Sequence, residues 1–267
     1  MKIKELVNAL DYTIAPKQYQ ESYDNCGLIL GNPENEITKI LTTLDVNESV
    51  VQEAILNGCN VIIAHHPIIF KGLKTLVWNN SVSEKVVIMA TRADISIYAA
   101  HTSLDKRFNG SINEYFAKQI GLTEIQPLVK SKDLNYLYGG AGAIGVLEEP
   151  VFVIDFLCNI RRDLKLTNPI KHTSIVVNKS IRTIAICTGA GFFMANEAKN
   201  KGAELFITSD LSYHSFFDEK DIILADMGHY ESEKHSSIVI HNLVKERFSE
   251  LDVIVSKINT NPVSYVI

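Results

Sequence analysis

The chain has no excess of positive charge, no long apolar run and no closely spaced cysteines, and each absence narrows what it can be. Its 26 Lys and Arg stand against 31 Asp and Glu, for a net charge of −5 and a pI near 5.9. That balance offers little for phosphate contacts, so nucleic acid is not an expected partner. No stretch approaches the roughly 18 consecutive apolar residues of a membrane span. The start, MKIKELVNAL, carries charges and lacks the apolar core of a signal peptide. A cytoplasmic protein with no membrane contact is expected. The four cysteines, Cys26, Cys59, Cys158 and Cys187, show no C-x-x-C spacing. This argues against a thiolate metal site or a redox pair, and the four read as small buried hydrophobes. With 14 Gly, 7 Pro and 46% hydrophobic residues, disorder is not expected, and the length suffices for a core without disulfides.

What is present is organised as an internal repeat. The segment from Ile37 overlies the segment from Ile181 at a constant offset of 144 residues. ITKILTTLD from Ile37 reads as a buried strand, ESVVQEAILNG from Glu48 as a helix ending at Gly58, and NVIIA from Asn60 as a second strand. IRTIAICTG, MANEAKNKG and ELFIT repeat that order, with Ala54 over Ala198 and Gly58 over Gly202. A further apolar strand follows in each half, ISIYAA from Ile95 and DIILAD from Asp221. The expected fold is α/β, in two similar halves spanning 1–127 and 128–267, with functional loops at the carboxyl ends of the strands. Between them lie a polar stretch near 126–138, a GGAGAIGVLEE strand and a VFVIDFLCNIRRDL helix.

Imidazoles and carboxylates gather at those strand ends. NVIIA runs directly into His65, His66 and Pro67. Neighbouring residues of a strand point to opposite sides, so adjacent histidines suit two neighbouring ions better than one, although a turn with two solvated histidines has the same sequence. His101 and Asp105 follow the ISIYAA strand, four residues apart. His229 and Glu233 follow the DIILAD strand at the same spacing, in a segment whose Ile238, Leu243, Val244 and Phe248 mark a helix. On a helix, residues four apart share a face and can hold one ion or flank a pair, as an ordinary surface pair also would. Glu231 points elsewhere at that spacing and reads as a solvated or capping charge. Mixed imidazole and carboxylate donors suit Zn, Mn, Fe, Co or Ni. Two such ions about 3.5 to 4 Å apart can lower the pKa of a bound water and stabilise charge on an attacked carbon or phosphorus.

ESYDNCGLILG at Glu21, AHHP at Ala64, HTSLD at His101, GHYESE at Gly228 and NTNP at Asn259 occur in this order. Together they resemble the Nif-three-like family, whose members are often called type 2 homologs of GTP cyclohydrolase I. The resemblance covers nearly the whole chain, in the short form without an inserted domain. It implies two intertwined similar α/β halves and a hexameric ring. It also implies that His65 and His66 bind different metals, that Asp105 joins one and His229 the other, and that Glu233 lies between. His101 would orient a ligand or water from outside. The SDLSYH segment matches a stretch facing the metals, which implies that Asp210 and His214 help substrate or water, and the repeat places Asp210 over His66. The sequence departs from the family at Tyr23, where a Trp is frequent, and at Asn109 and Gly110, where a Gly pair is. These changes leave the ligands untouched and bear on the substrate.

The function expected is metal-dependent hydrolysis of a small molecule, with a metal-bound water as nucleophile. The alternative is a non-catalytic metal protein that serves interaction or regulation. A triphosphate substrate asks for a cationic cradle, yet Lys71, Arg92, Lys106 and Arg107 lie near the proposed segments without the spacing of a phosphate loop.

Overall fold

Apolar runs too uniform to alternate form the parallel centres of two sheets, as strands buried on both faces do. The computed structural model describes residues 1–131, 139–174, 179–218 and 221–266. In the first sheet Ile40–Thr43, Val61–Ala64 and Ser96–Ala99 run parallel, and every residue of the three is buried. Val253–Val255 adds a parallel edge beside Ile40–Thr43, while Gly27–Leu30 pairs antiparallel with Ser96–Ala99. In the second sheet Ser180–Ile186, Leu205–Thr208 and Ile223–Asp226 are parallel. Ala143–Phe152 flanks them antiparallel on one side and Lys171–His172 on the other, with Thr123–Gln126 outermost.

The repeat holds residue by residue. Val61–Ala64 and Leu205–Thr208 keep the 144-residue offset at both ends. The chain leaves the Glu48–Leu56 helix by a Cys59 N–H to Ala54 carbonyl bond of 2.9 Å. It leaves the Ala195–Asn200 helix by the corresponding bond from Ala203 to Ala198, 3.0 Å. Local chemistry sets the helix starts of the first half, where Asn47 and Ser81 cap the Glu48–Leu56 and Val82–Arg92 helices by accepting from the Val50 and Glu84 amides. The second copy is shorter at its start, where a 3₁₀ turn, Phe192–Met194, replaces the first helical turn.

The molecule comprises two compact units. One is residues 1–107 with 235–260, the other 108–234 with 261–267. A single cut after residue 127 therefore separates neither. Phe108, Phe116, Ala117, Ile120 and Leu122 pack with Leu147, Ile184 and Leu205 of the second sheet, so the Ile112–Gln119 helix belongs to the second core. The apolar face of Ser236–Arg247, with Val239, Ile240, Leu243 and Val244 buried, belongs to the first. Ile238 and Phe248, read from spacing as part of that face, are only half-buried.

The Ala143–Phe152 strand and Val153–Asp163 helix stand where the sequence placed them. Of the polar stretch 126–138, residues 132–138 lie outside the described residues. Cys26, Cys59 and Cys187 are buried as expected, whereas Cys158 is exposed. It lies on the Val153–Asp163 helix, whose buried face is Val153, Phe156, Leu157 and Ile160. Among the described residues no helix is long and apolar enough to cross a membrane.

Candidate metal centre

In the first unit three histidines are delivered by two neighbouring strands. Val61–Ala64 ends at His65, whose N–H still bonds the Thr43 carbonyl at 3.1 Å, and the His66 N–H bonds the Leu44 carbonyl at 3.0 Å. Ser96–Ala99 ends two residues before His101, which precedes the short Thr102–Asp105 helix. Ligand nitrogens of His65, His66 and His101 lie within 4.8 Å of one another. Asp105 Oδ1 stands 3.8 Å from His65 Nε2.

Each of these rings is held by its Nδ1. His65, fully buried, places Nδ1 2.8 Å from the Ala100 carbonyl oxygen, so Nδ1 must donate and Nε2 carries the lone pair. His66 Nδ1 is 2.7 Å from Asp45 Oδ1, and His101 Nδ1 is 2.8 Å from Asp24 Oδ1. Both carboxylates are held in turn. Thr260 Oγ1 donates to Asp45 Oδ2 at 2.7 Å. Asp24 Oδ2 accepts from the Thr102 amide and hydroxyl and from Cys26 Sγ. Burial alone would raise the Asp24 carboxyl, but hydrogen bonds from His101, Thr102 and Cys26 outweigh it and hold it well below the usual carboxylate range. Asp45 is lowered too, where burial is outweighed by the bonds from His66 and Thr260 and by the nearby His65.

In the second unit the His229–Glu233 helix begins directly after Gly228, whose φ of +91° turns the chain out of the strand region. His229 Nε2 lies 3.0 Å from Glu233 Oε2, and its Nδ1 lies 2.7 Å from Asp210 Oδ2. The hydrogen bond to Glu233, with a further one to Asp210, outweighs burial and pushes the His229 imidazolium up to about 9. Glu233 itself is 4% exposed. It is admitted by Gly189, where a Cβ would come within 2.2 Å of Oε1. The helix does not continue as the spacing suggested. It stops at Glu233, and a second helix, Ser236–Arg247, starts three residues later.

One expectation changes. Glu231 is not a solvated charge: it is 4% exposed and accepts from Asn261 Nδ2 at 3.0 Å. His214 sits on the surface, packed edge-on to Tyr213 and tilted against Phe217, while Asp210 holds His229. The anchors Asp24, Asp45 and Thr260 were not singled out. Asp24 and Thr260 do fall inside the ESYDN and NTNP motifs, and Asp45 lies two residues past the Ile40–Thr43 strand. Of the cations considered for a phosphate, Lys106 pairs with Glu21 at 2.7 Å. Arg107 donates to the Thr13 and Ile14 carbonyls, and Arg92 lies over Trp78 at 5.6 Å.

The donor set fits a divalent ion. Imidazole nitrogens and carboxylate oxygens bound to one ion at about 2.0 to 2.2 Å sit about 3 to 4 Å from each other. The 3.8 Å from His65 to Asp105 and the 3.0 Å from His229 to Glu233 fall in that range. These buried His and Glu groups could hold a metal, and their mixed nitrogen and oxygen character suits borderline ions.

Known proteins share this sequence pattern and fold. The chain is 32% identical over 269 residues to the GTP cyclohydrolase 1 type 2 homolog of Clostridium perfringens, covering 100% of both chains. It is 36% identical over 277 residues to the protein of the same name from Lactococcus lactis, covering 98% of each. The solved structure of Staphylococcus aureus protein SA1388 superposes with a TM-score of 0.89 at 28% identity, over 100% of this chain and 99% of that one. Reduced HcgD from Methanocaldococcus jannaschii, at 23% identity and a TM-score of 0.75 over 97% and 98% of the two chains, shares the fold. A family model described as Duf34/NIF3 (NGG1p interacting factor 3) matches residues 1–262, and the chain belongs to that family.

Proposed function

We propose that the protein is a metal-dependent hydrolase of a small molecule, using two divalent ions held by His65, His66, Asp105, His229 and Glu233. One observation carries the reading: His65, His66, His101 and His229 all spend Nδ1 on a carbonyl or carboxylate acceptor. Carboxylate or carbonyl support behind each ring is the arrangement that orients metal-ligating histidines and raises their basicity. The surface His172 bonds the Thr173 carbonyl in the same way, so the weight lies on the carboxylates behind His66, His101 and His229 and on the gathering of His65, His66 and His101 within 4.8 Å.

Bound there, divalent ions would supply Lewis acidity and an activated water. The chain's own part is to prepare the ligands. Asp24, Asp45 and Asp210 orient three of the rings, and Ala100 orients the fourth. Buried Glu233 brings negative charge beside His229, and the protein's few donors leave positions open to water and substrate, as catalytic sites do. The engaged state of Lys106 and Arg107 favours a small substrate over a triphosphate. The relatives' cyclohydrolase name is consistent with hydrolysis of a ring carbon and does not fix the substrate. The proposed assembly is a ring of six copies in the cytoplasm, on the family resemblance.

The test is Glu233→Gln in protein purified without added metal. Metal content and turnover of a metabolite panel should fall together. Turnover that survives complete removal of metal would sink the reading, and metal retention with no turnover of any metabolite would favour the non-catalytic alternative.

A further inference from the structure

The histidines of the first unit are bordered by aromatic side chains that the core does not use. Tyr23 is 64% exposed and Phe70 46%, although burying rings of this size is strongly favourable. Their centroids lie 6.4 Å apart, and Phe70 lies 6.4 Å from the His101 ring. His101 in turn is 5.2 Å from His65 and 5.4 Å from His66. A continuous run of rings thus leads from solvent to the metal-ligating nitrogens. The loops that carry it are tied together, since Asn25 Nδ2 donates to the Ile69 carbonyl at 2.6 Å and the Glu21 amide to Thr102 Oγ1 at 2.9 Å.

Scattered surface aromatics need no explanation. An exposed pair that leads ring by ring to His101, beside His65 and His66, does.

We propose that Tyr23 and Phe70 form a stacking surface for a planar heteroaromatic ring of the substrate. This rests on the hydrolase reading and names the substrate class. Every heteroaromatic base presents a π-face, so such a surface binds rings without hydrogen-bond readout. A ring on Phe70 would bring its substituents towards His101 and its neighbours. Neither Tyr23 nor Phe70 is among the proposed metal ligands, so ring binding and metal binding are separable.

The experiment uses the full-length protein with zinc added, and saturation-transfer NMR with a purine nucleoside, a pyrimidine nucleoside and free ribose. Ring protons of the nucleosides should receive magnetisation and ribose should not. Tyr23→Leu and Phe70→Leu should each weaken nucleoside binding about tenfold, a single stacking contact's worth, while Tyr23→Trp preserves it and metal content stays at the parent value. Ribose binding as well as the nucleosides, no binding of either nucleoside, or unchanged affinity in the double Leu variant would overturn the proposal. Loss of zinc from the parent protein would count instead against the hydrolase reading, which metal analysis of the same samples detects.

Discussion

Thr260 shows how far from an ion its control can begin. Its hydroxyl holds Asp45 Oδ2, and Asp45 Oδ1 holds His66 Nδ1. Thr260→Val keeps the shape and removes the donor. Metal affinity should fall about 10- to 100-fold, read by competition with a chromophoric chelator, while the circular dichroism spectrum is unchanged. His229 supplies a pH signature. Its pKa in the folded chain is raised from the ordinary 6.5 to about 9 by Glu233 and Asp210. The stabilisation is thus complete below about pH 6.5 and is lost as pH rises through about 9. Chelator-treated protein should lose melting temperature between pH 7 and 9.5, and Glu233→Gln should flatten that slope. Because the ion displaces this proton, metal affinity should rise over the same range. His65, His66 and His229 stand out in the sequence as candidate ligands because they follow strand ends, and Asp105 and Glu233 because each comes four residues after a histidine. Asp24, Asp45 and Thr260 do not, since a carboxylate or hydroxyl acting on a ring from 20 or more residues away leaves no local spacing to read.

Elements were legible where burial is uniform. The three central parallel strands of each sheet announce themselves as short apolar runs, and the repeat doubles the signal. The break between His229–Glu233 and Ser236–Arg247 was not visible, because helical periodicity runs on through Lys234 and His235 while the chain changes core. Gly189 shows how tightly the second element is fitted. Its φ is +67°, and a Cβ would press on Glu233 Oε1. Gly189→Ala should cost about 1 kcal/mol of stability for the left-handed backbone. It should cost more in function, because relief comes from moving the Glu233 carboxylate. Chemical denaturation with and without zinc should show a small shift in the metal-free protein and a much reduced gain on adding zinc.

At the scale of the whole molecule, the sequence revealed two similar halves but not where they divide. Similarity follows local pattern, whereas the boundary follows which core each helix covers. The ring proposed from the family resemblance predicts a native mass of about six chains by light scattering; a monomer at micromolar concentration would rule it out. Residues 235–260 lie with the first unit, reached only after the chain has built most of the second. That crossing has a consequence for recombination. No contiguous fragment of this chain consists of one unit alone, so neither half can be exchanged or inherited by a simple crossover. A gene that encodes both segments without 108–234, joined through a linker, is needed to give the first unit as an independent protein with His65, His66, His101 and Thr260 all in place.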